Sequence, residues 1–248
     1  MKTNKISHVI YIITLICTTP SFAQGVIIYQ KDGTSINVPY SKLDSIVTYE
    51  SQEGVSEILP IDEYGISIGH EIDLGLSVNW AGWDFGATSS RGYGEHYAWG
   101  ELHPRTRDFS SEGYAYYNSD YIFIGENISG TVYDVVHNTL GNGWRLPTKE
   151  DAQELINNCK WEVITCDAIA GYKITGPNGN SIFLPFNGCY LDDILDHRGE
   201  HFCYWTGTLN LDNGGQAYML WNNNAAALTV AADTRRAGRC IRPVKTKK

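Results

Sequence analysis

The chain has 248 residues, of which 42% are hydrophobic, 12% aromatic and 19% charged. This supply of apolar side chains excludes a wholly disordered chain and indicates one large domain, with or without a small appendage. The net charge is −9, and seven of the basic residues lie in the last 14 positions. The remaining body is strongly acidic and would repel nucleic acid, which we do not expect as a partner.

Residues 1–23 are predicted to be a signal peptide. A lysine-containing start precedes the apolar stretch Val9–Cys17, and Ser21–Ala23 forms a small-x-small cleavage site. The apolar stretch is too short to span a membrane, so we expect no transmembrane segment in a mature chain that begins at Gln24. A lipid on Cys17 is the alternative, but Ile16 stands where a small residue is needed. We therefore expect export to the periplasm, the outer surface or the medium.

Residues 24–50 are predicted to form a small β unit. Its expected parts are the strands Val26–Tyr29, Ser35–Val38 and Leu43–Tyr49, with a hairpin turn at Lys31–Gly33 between the first two. This unit resembles the short KDG-containing N-terminal unit of many exported Bacteroidetes proteins. The polar residues 51–69 are predicted to be a linker.

The main domain is predicted to span residues 70–244, followed by a basic tail at 245–248. Its one clear helix begins after Thr148, whose hydroxyl can cap the N-terminus, and ends at Asn157–Asn158. Gly176–Asn180 predicts a hairpin turn. The predicted strands are two within Ile72–Trp83, then Tyr172–Thr175, Ser181–Leu184, Cys203–Thr208, Ala217–Trp221, Leu228–Ala231 and Arg239–Val244.

Five cysteines follow the signal peptide: Cys159, Cys166, Cys189, Cys203 and Cys240. In an oxidising compartment some of them should pair, and the odd number leaves at least one without a partner in this chain. The sequence alone does not define the connectivity. Cys203 and Cys240 lie in predicted core strands near the end of the domain, so we expect one disulfide between them.

Five short strings with Trp, Tyr or Arg beside Gly, Pro or small polar residues occur in order along the chain: Asp73–Ala81, Tyr97–Glu101, Trp144–Thr148, Tyr204–Thr208 and Cys240–Val244. In composition and spacing they resemble the Fibrobacter succinogenes major paralogous domain. The resemblance implies an exported α+β module with a C-type-lectin-like fold, β-rich with long loops and used for binding. It also implies that Trp99, Trp144 and Trp205 fill the core and that Arg145 holds a loop.

No nucleophile-elbow, P-loop or dinucleotide-binding glycine pattern occurs in the chain. We therefore expect no enzymatic activity and no cofactor. The alternative is an enzyme similar to the formylglycine-generating relatives in the wider superfamily. That chemistry needs a cysteine pair in an open cleft, and no motif places Cys189 and Cys203 in one.

Two patterns in the sequence bear on metal binding. His197 and His201 lie four apart with Glu200 between them, a spacing that binds metal on a helix, but Gly199 argues against a helix here. For calcium, the Gly-Pro-Asn and Trp-Asn-Asn strings lack the acidic residues that calcium-binding lectins supply. We therefore expect no metal.

The stretch from Trp221 to Gly238 combines an aromatic residue, consecutive amides and an arginine pair. These groups suit a polar or acidic ligand, such as a glycan or a surface protein. We expect a ligand-binding surface of solvent-facing side chains around one shallow depression, formed by Trp221, Asn222, Asn223, Asn224, Asp233, Arg235 and Arg236. Changing the arginine pair should then leave the fold intact. An Asn-rich turn between edge strands is the alternative.

Three classes of function remain open. The leading hypothesis is a non-catalytic, adhesin-like binding module of the cell envelope. A structural subunit of an envelope or fimbrial assembly is the second, because the small β unit would present exposed strand edges. The enzyme hypothesis is the third.

Overall fold

The computed structural model describes residues 25–29, 35–39, 59–222 and 228–247, which fall in two units, Met1–Val55 and Ser56–Lys248. In the first unit, β1 (Gly25–Tyr29) pairs antiparallel with β2 (Ser35–Pro39), which confirms the first two predicted strands. The signal peptide, the Lys31–Gly33 turn and the expected strand Leu43–Tyr49 lie outside the described residues.

The second unit begins earlier than the sequence suggests. Residues 59–69, which we expected to belong to a linker, pack on the rest of the unit. Ile66 is buried in a cluster with Cys166 and Phe183, and the backbone N–H of Ser67 donates to the carbonyl oxygen of Ser181 at 3.2 Å. The described part of the expected linker is therefore part of the folded body.

One sheet joins the two ends of the second unit. It has the order β3 (Glu71–Asp73), β4 (Val78–Ala81), β14 (Val244–Thr246) and β5 (Trp144–Arg145). The expected basic tail is partly in this sheet, because β14 includes Lys245 and Thr246. Lys245 and Lys247 also form ion pairs with Glu71 and Asp73. The final strand begins at Val244, so the strand predicted at Arg239–Val244 is wrong except at its last residue, and the domain extends past the end that we expected.

Two α-helices lie within the described residues, α1 (Val135–Leu140) and α2 (Lys149–Asn158). The α2 prediction is confirmed: the Thr148 hydroxyl accepts from the Asp151 N–H, and the Asp151 carboxylate accepts from the Thr148 N–H, which is a capping box. The sequence reading missed α1, which the buried carboxylate of Asp134 caps.

The remaining strands form hairpins and small sheets: β6 (Lys160–Cys166), β7 (Ile169–Thr175) and β8 (Ser181–Pro185); β9 (Cys189–Leu191) with β10 (Ile194–Asp196); and β11 (Cys203–Leu209), β12 (Gln216–Asn222) and β13 (Leu228–Thr234). The turn predicted at Gly176–Asn180 connects β7 to β8, as expected. Helix α2 packs on the β11–β13 sheet. The fold is therefore α+β and rich in β-structure.

Two hydrophobic clusters supply most of the core. One contains Trp80, Leu155 and Phe202, and the other contains Trp99 and Trp205. Both indole N–H groups of the second cluster donate to backbone oxygens at 2.9 Å, which satisfies their polar atoms in the interior. Trp144, the third expected core tryptophan, is only half-buried against this cluster.

In the described part of the chain no helix has the length and apolar character needed to cross a membrane.

Candidate functional site

Arg235, which the sequence places on a recognition surface, is only 1% exposed. Its Nε donates to the Tyr114 hydroxyl at 3.1 Å, and its Nη1 and Nη2 donate to the carbonyl oxygens of Gly214 and Ile122, each at 3.0 Å. Its Cζ lies 4.8 Å from the centroid of a Trp99 ring. The expectation that Arg235 faces solvent is wrong, because the guanidinium holds three segments against the core.

Asn222 is also buried, at 4% exposure, contrary to the same expectation. Its side-chain oxygen accepts a hydrogen bond from the backbone N–H of Phe202 at 2.7 Å, so the amide holds two segments together. Trp221 is half-buried and packs against the cluster of Trp99 and Trp205. An amide and an indole that are used in this way offer little to a ligand.

The remaining residues of the expected surface have partners within the protein. Asp233 forms an ion pair with the buried Arg239, and Arg236 pairs with Asp192 and donates to the Phe109 carbonyl oxygen at 2.7 Å. Asn223 and Asn224 lie outside the described residues. The structure therefore does not bring the described members of this set around one shallow depression.

The expected disulfide between Cys203 and Cys240 is contradicted, because both thiols are free. The Cys240 N–H donates to the Cys203 carbonyl oxygen at 3.2 Å, so the two backbones are adjacent. The Cys240 sulfur, however, lies 3.6 Å from the Gly94 carbonyl oxygen and from His96 Nε2. The Cys203 thiol contacts Cys189 instead.

Cys189 and Cys203 are neighbours because Gly188 and Phe202, the residues just before them, pair in parallel. Adjacent strands place such residues about 5 Å apart, within the range that a disulfide spans. The hydrogen bond from Cys203 lowers the pKa of the Cys189 thiol, and Arg239 adds to this effect against the opposing burial. The same hydrogen bond, together with burial, raises the pKa of Cys203.

We predict that mild oxidation joins Cys189 to Cys203. The half-buried Cys189 thiolate attacks oxidised glutathione and releases one reduced glutathione, and Cys203 then displaces the second. The bridge closes a loop of 15 residues and should stabilise the fold by about 3 kcal/mol. Non-reducing peptide mapping checks the pair. Two free thiols after oxidation, or a bridge from Cys203 to Cys240, would contradict the prediction.

A polar cleft of about 470 Å³ lies beside the N-terminus of α2. Thr208 positions its walls: it pairs with Asn127, and its hydroxyl accepts from the Lys149 N–H at 3.1 Å. Gly207 permits this close approach, because a Cβ there would lie 2.2 Å from the Ser129 hydroxyl oxygen. The loop after β11 forms the remaining wall.

The lining of this cleft offers hydrogen-bond donors, acceptors and a ring. Its members are Glu126, Asn127, Lys149, Glu150, Thr208, Leu209, Asn210, Leu211, Asp212 and Tyr218. The Lys149 ammonium lies 4.6 Å from the centroid of the Tyr218 ring, which fixes the cation over an aromatic face. Three carboxylates against one ammonium give the lining a net negative charge, so the cleft favours a neutral or cationic ligand over an acidic one.

A single backbone turn brings the predicted histidine pair together. The N–H groups of Glu200 and His201 both donate to the His197 carbonyl oxygen at 3.0 Å. The two imidazole rings stack with centroids 4.5 Å apart. No helix forms, as Gly199 suggested, but one turn with Gly199 at φ +88° is enough to place both rings on the same side.

Sequence reasoning missed the cleft because its walls come from four separated segments. The available signal was the end of the Tyr204–Thr208 string, followed by the polar loop Asn210–Gly215. We interpreted that string as structural only. In the structure, its last residue holds both the helix terminus and the Asn127 loop.

No protein-family model, curated protein or solved structure significantly matches this chain. The polar cleft, the Cys189–Cys203 pair and the turn at residues 197–201 are therefore candidate sites on their geometry alone.

Proposed function

We propose that this protein is an exported, non-catalytic binding module of the cell envelope, and that it recognises a neutral, hydroxyl-rich ligand such as a glycan in the polar cleft. The observation that carries the proposal is the lining of the cleft, where acceptors, donors and an aromatic ring converge on one space. The signal-peptide pattern at residues 1–23 supports export.

The chemistry of the lining matches that of a sugar. Vicinal hydroxyl groups both donate and accept hydrogen bonds, and the cleft offers carboxylates at Glu150 and Asp212 as acceptors and the Nδ2 group of Asn127 as a donor. The Lys149 ammonium, held over the Tyr218 ring, can donate hydrogen bonds to sugar hydroxyl groups. A polar cleft gains little apolar burial, so single epitopes should bind weakly, and several copies on one surface would bind strongly.

We also propose membership of the Fibrobacter succinogenes major paralogous domain family, with its C-type-lectin-like fold. Two features support this. Trp99 and Trp205 of the matching strings are core residues that donate to backbone oxygens. Arg145 donates to the Leu146 carbonyl oxygen and to Asp151, as expected of an arginine that holds a loop.

An oligosaccharide array followed by calorimetry tests the binding proposal. We expect neutral oligosaccharides to bind the mature chain, and Glu150→Ala or Asp212→Ala to weaken the binding about tenfold each, which is the loss of about 1.4 kcal/mol of hydrogen bonding. Both side chains are exposed, so the fold should be unaffected. The matched control is Glu112→Ala, an exposed carboxylate outside the cleft lining.

The binding proposal fails if no neutral oligosaccharide binds, or if both cleft variants bind as tightly as the parent. Binding that weakens equally in the Glu112→Ala control would show a non-specific charge effect instead.

A further inference from the structure

A three-donor cluster lies on the surface turn at residues 197–201. His197, Glu200 and His201 each offer one ligand atom, and the three atoms lie within 4.8 Å of one another. His197 and Glu200 are exposed, whereas His201 is 6% exposed and anchors the cluster in the body. Two imidazoles and one carboxylate form a donor set that zinc enzymes and zinc sites use.

We propose that His197, Glu200 and His201 bind a divalent transition-metal ion of the zinc class, with solvent in the remaining position. This departs from the expectation from sequence that the chain holds no metal. It is independent of the polar cleft and of the proposed function.

The orientation of His197 supports the site. Its Nε2 lies 3.1 Å from Asp196 Oδ2, and its Nδ1 lies 3.2 Å from Glu200 Oε2. If Nε2–H donates to Asp196, the lone pair of Nδ1 points at the Glu200 oxygen. Metal-bound histidines commonly donate their second ring N–H to a carboxylate in this way, which fixes the tautomer.

In that tautomer Nδ1 and Glu200 Oε2 are two acceptors that face each other at 3.2 Å. A metal ion between them would turn this repulsion into two ligand bonds. Ligand atoms around tetrahedral zinc are separated by about 3.3 Å for bonds of about 2.0 Å. The Nδ1–Oε2 distance already meets this value. The other separations in the cluster are at most 4.8 Å, and rotation of the exposed His197 and Glu200 side chains can shorten them.

The local backbone keeps the donors together without a helix. The His201 N–H and the Glu200 N–H share the His197 carbonyl oxygen, and the Gly199 N–H donates to the Phe186 carbonyl oxygen at 2.7 Å. The turn is thereby fixed to the body, so little ordering is needed on binding.

The site is tested by titrating the mature full chain with Zn²⁺ alone, in competition with a chromophoric chelator, and with Co²⁺ by visible absorption. We expect one ion per chain. His197→Gln and Glu200→Gln should each weaken binding at least tenfold, since each removes a ligand. Asp196→Asn should weaken it about tenfold to a hundredfold, the range for a lost second-shell partner. These three side chains are exposed, so the variants should fold.

The matched control is His103→Gln, an exposed histidine outside the cluster, which should bind Zn²⁺ as the parent does. The proposal is overturned if the chain binds no Zn²⁺ at micromolar concentrations. It is also overturned if His197→Gln and Glu200→Gln keep the parent's affinity, since the ion would then bind elsewhere.

Discussion

Replacing Arg242 with methionine should lower the free energy of unfolding by about 3–5 kcal/mol, since the change leaves a buried carboxylate without its cation. Arg242 and Asp84 are both completely buried, and Arg242 Nη2 lies 2.7 Å from Asp84 Oδ1. Arg242 also donates to the carbonyl oxygens of Ala81 and Phe183. Methionine fills similar space but supplies none of these donors.

The destabilisation of the Arg242→Met variant should depend on pH. Burial raises the pKa of Asp84, and Arg242 opposes this shift. Removing Arg242 raises the folded-state pKa of Asp84 further, so the variant fold binds a proton more tightly than the unfolded chain does. The stability that this proton adds to the variant is fully present below the unfolded-state pKa of Asp84, about 3.9, and is lost as pH rises through the folded-state pKa of Asp84. The loss of unfolding free energy in the variant, relative to the parent, should therefore be smallest near pH 4.

Denaturant unfolding of the two proteins at several pH values checks this prediction. The control is Arg107→Met, which changes an exposed arginine and should alter stability by no more than about 0.5 kcal/mol. An Arg242→Met variant that is as stable as the parent at neutral pH, or one whose deficit grows towards pH 4, would contradict the role assigned to this ion pair.

The second large effect is expected at Arg235. Truncation to alanine should lower stability by about 3–5 kcal/mol, because it opens a cavity beside Trp99 and leaves the carbonyl oxygens of Gly214 and Ile122 without their donor. Lysine should restore little, since an ammonium lacks the planar fork that reaches three separated acceptors. Thermal and denaturant unfolding measure both variants.

Arg236→Ala is the matched control for Arg235→Ala, because the two residues are adjacent and Arg236 is only partly buried. Its loss should cost about 1 kcal/mol, because its ion-pair partner Asp192 is exposed and such a pair contributes little. If Arg235→Ala unfolds at the parent's temperature, the residue is not a core group, and the surface expected from the sequence regains its support.

The sequence predicted the elements that are stabilised by residues close to one another in the chain. Helix α2 has its cap at Thr148 and its apolar face at Ala152 and Leu155, and the Gly176–Asn180 turn connects adjacent strands. Helix α1 was missed because its Val-Val start favours helix weakly. Its cap, Asp134, is fixed by a hydrogen bond from the distant Leu146 N–H.

The candidate sites were predicted less well because contacts distant in sequence decide them. The composition around Arg235 and Asn222 is typical of a surface, but their partners are Tyr114 and Phe202, which no local pattern connects to them. Likewise, the neighbour of Cys203 is set by the parallel pairing just before it. The cluster of His197, Glu200 and His201 was recognisable in the sequence, because all three donors lie within five residues.

The most direct test of the central claim is to map the bound oligosaccharide by amide chemical-shift perturbation on the labelled mature chain. We predict that the largest shifts occur at Asn127, Lys149, Asn210 and Tyr218, which line the polar cleft. Resonances of the Trp221–Arg236 segment, which the sequence predicts to bind, should change little. Shifts confined to that segment, with the cleft unchanged, would contradict binding in the cleft.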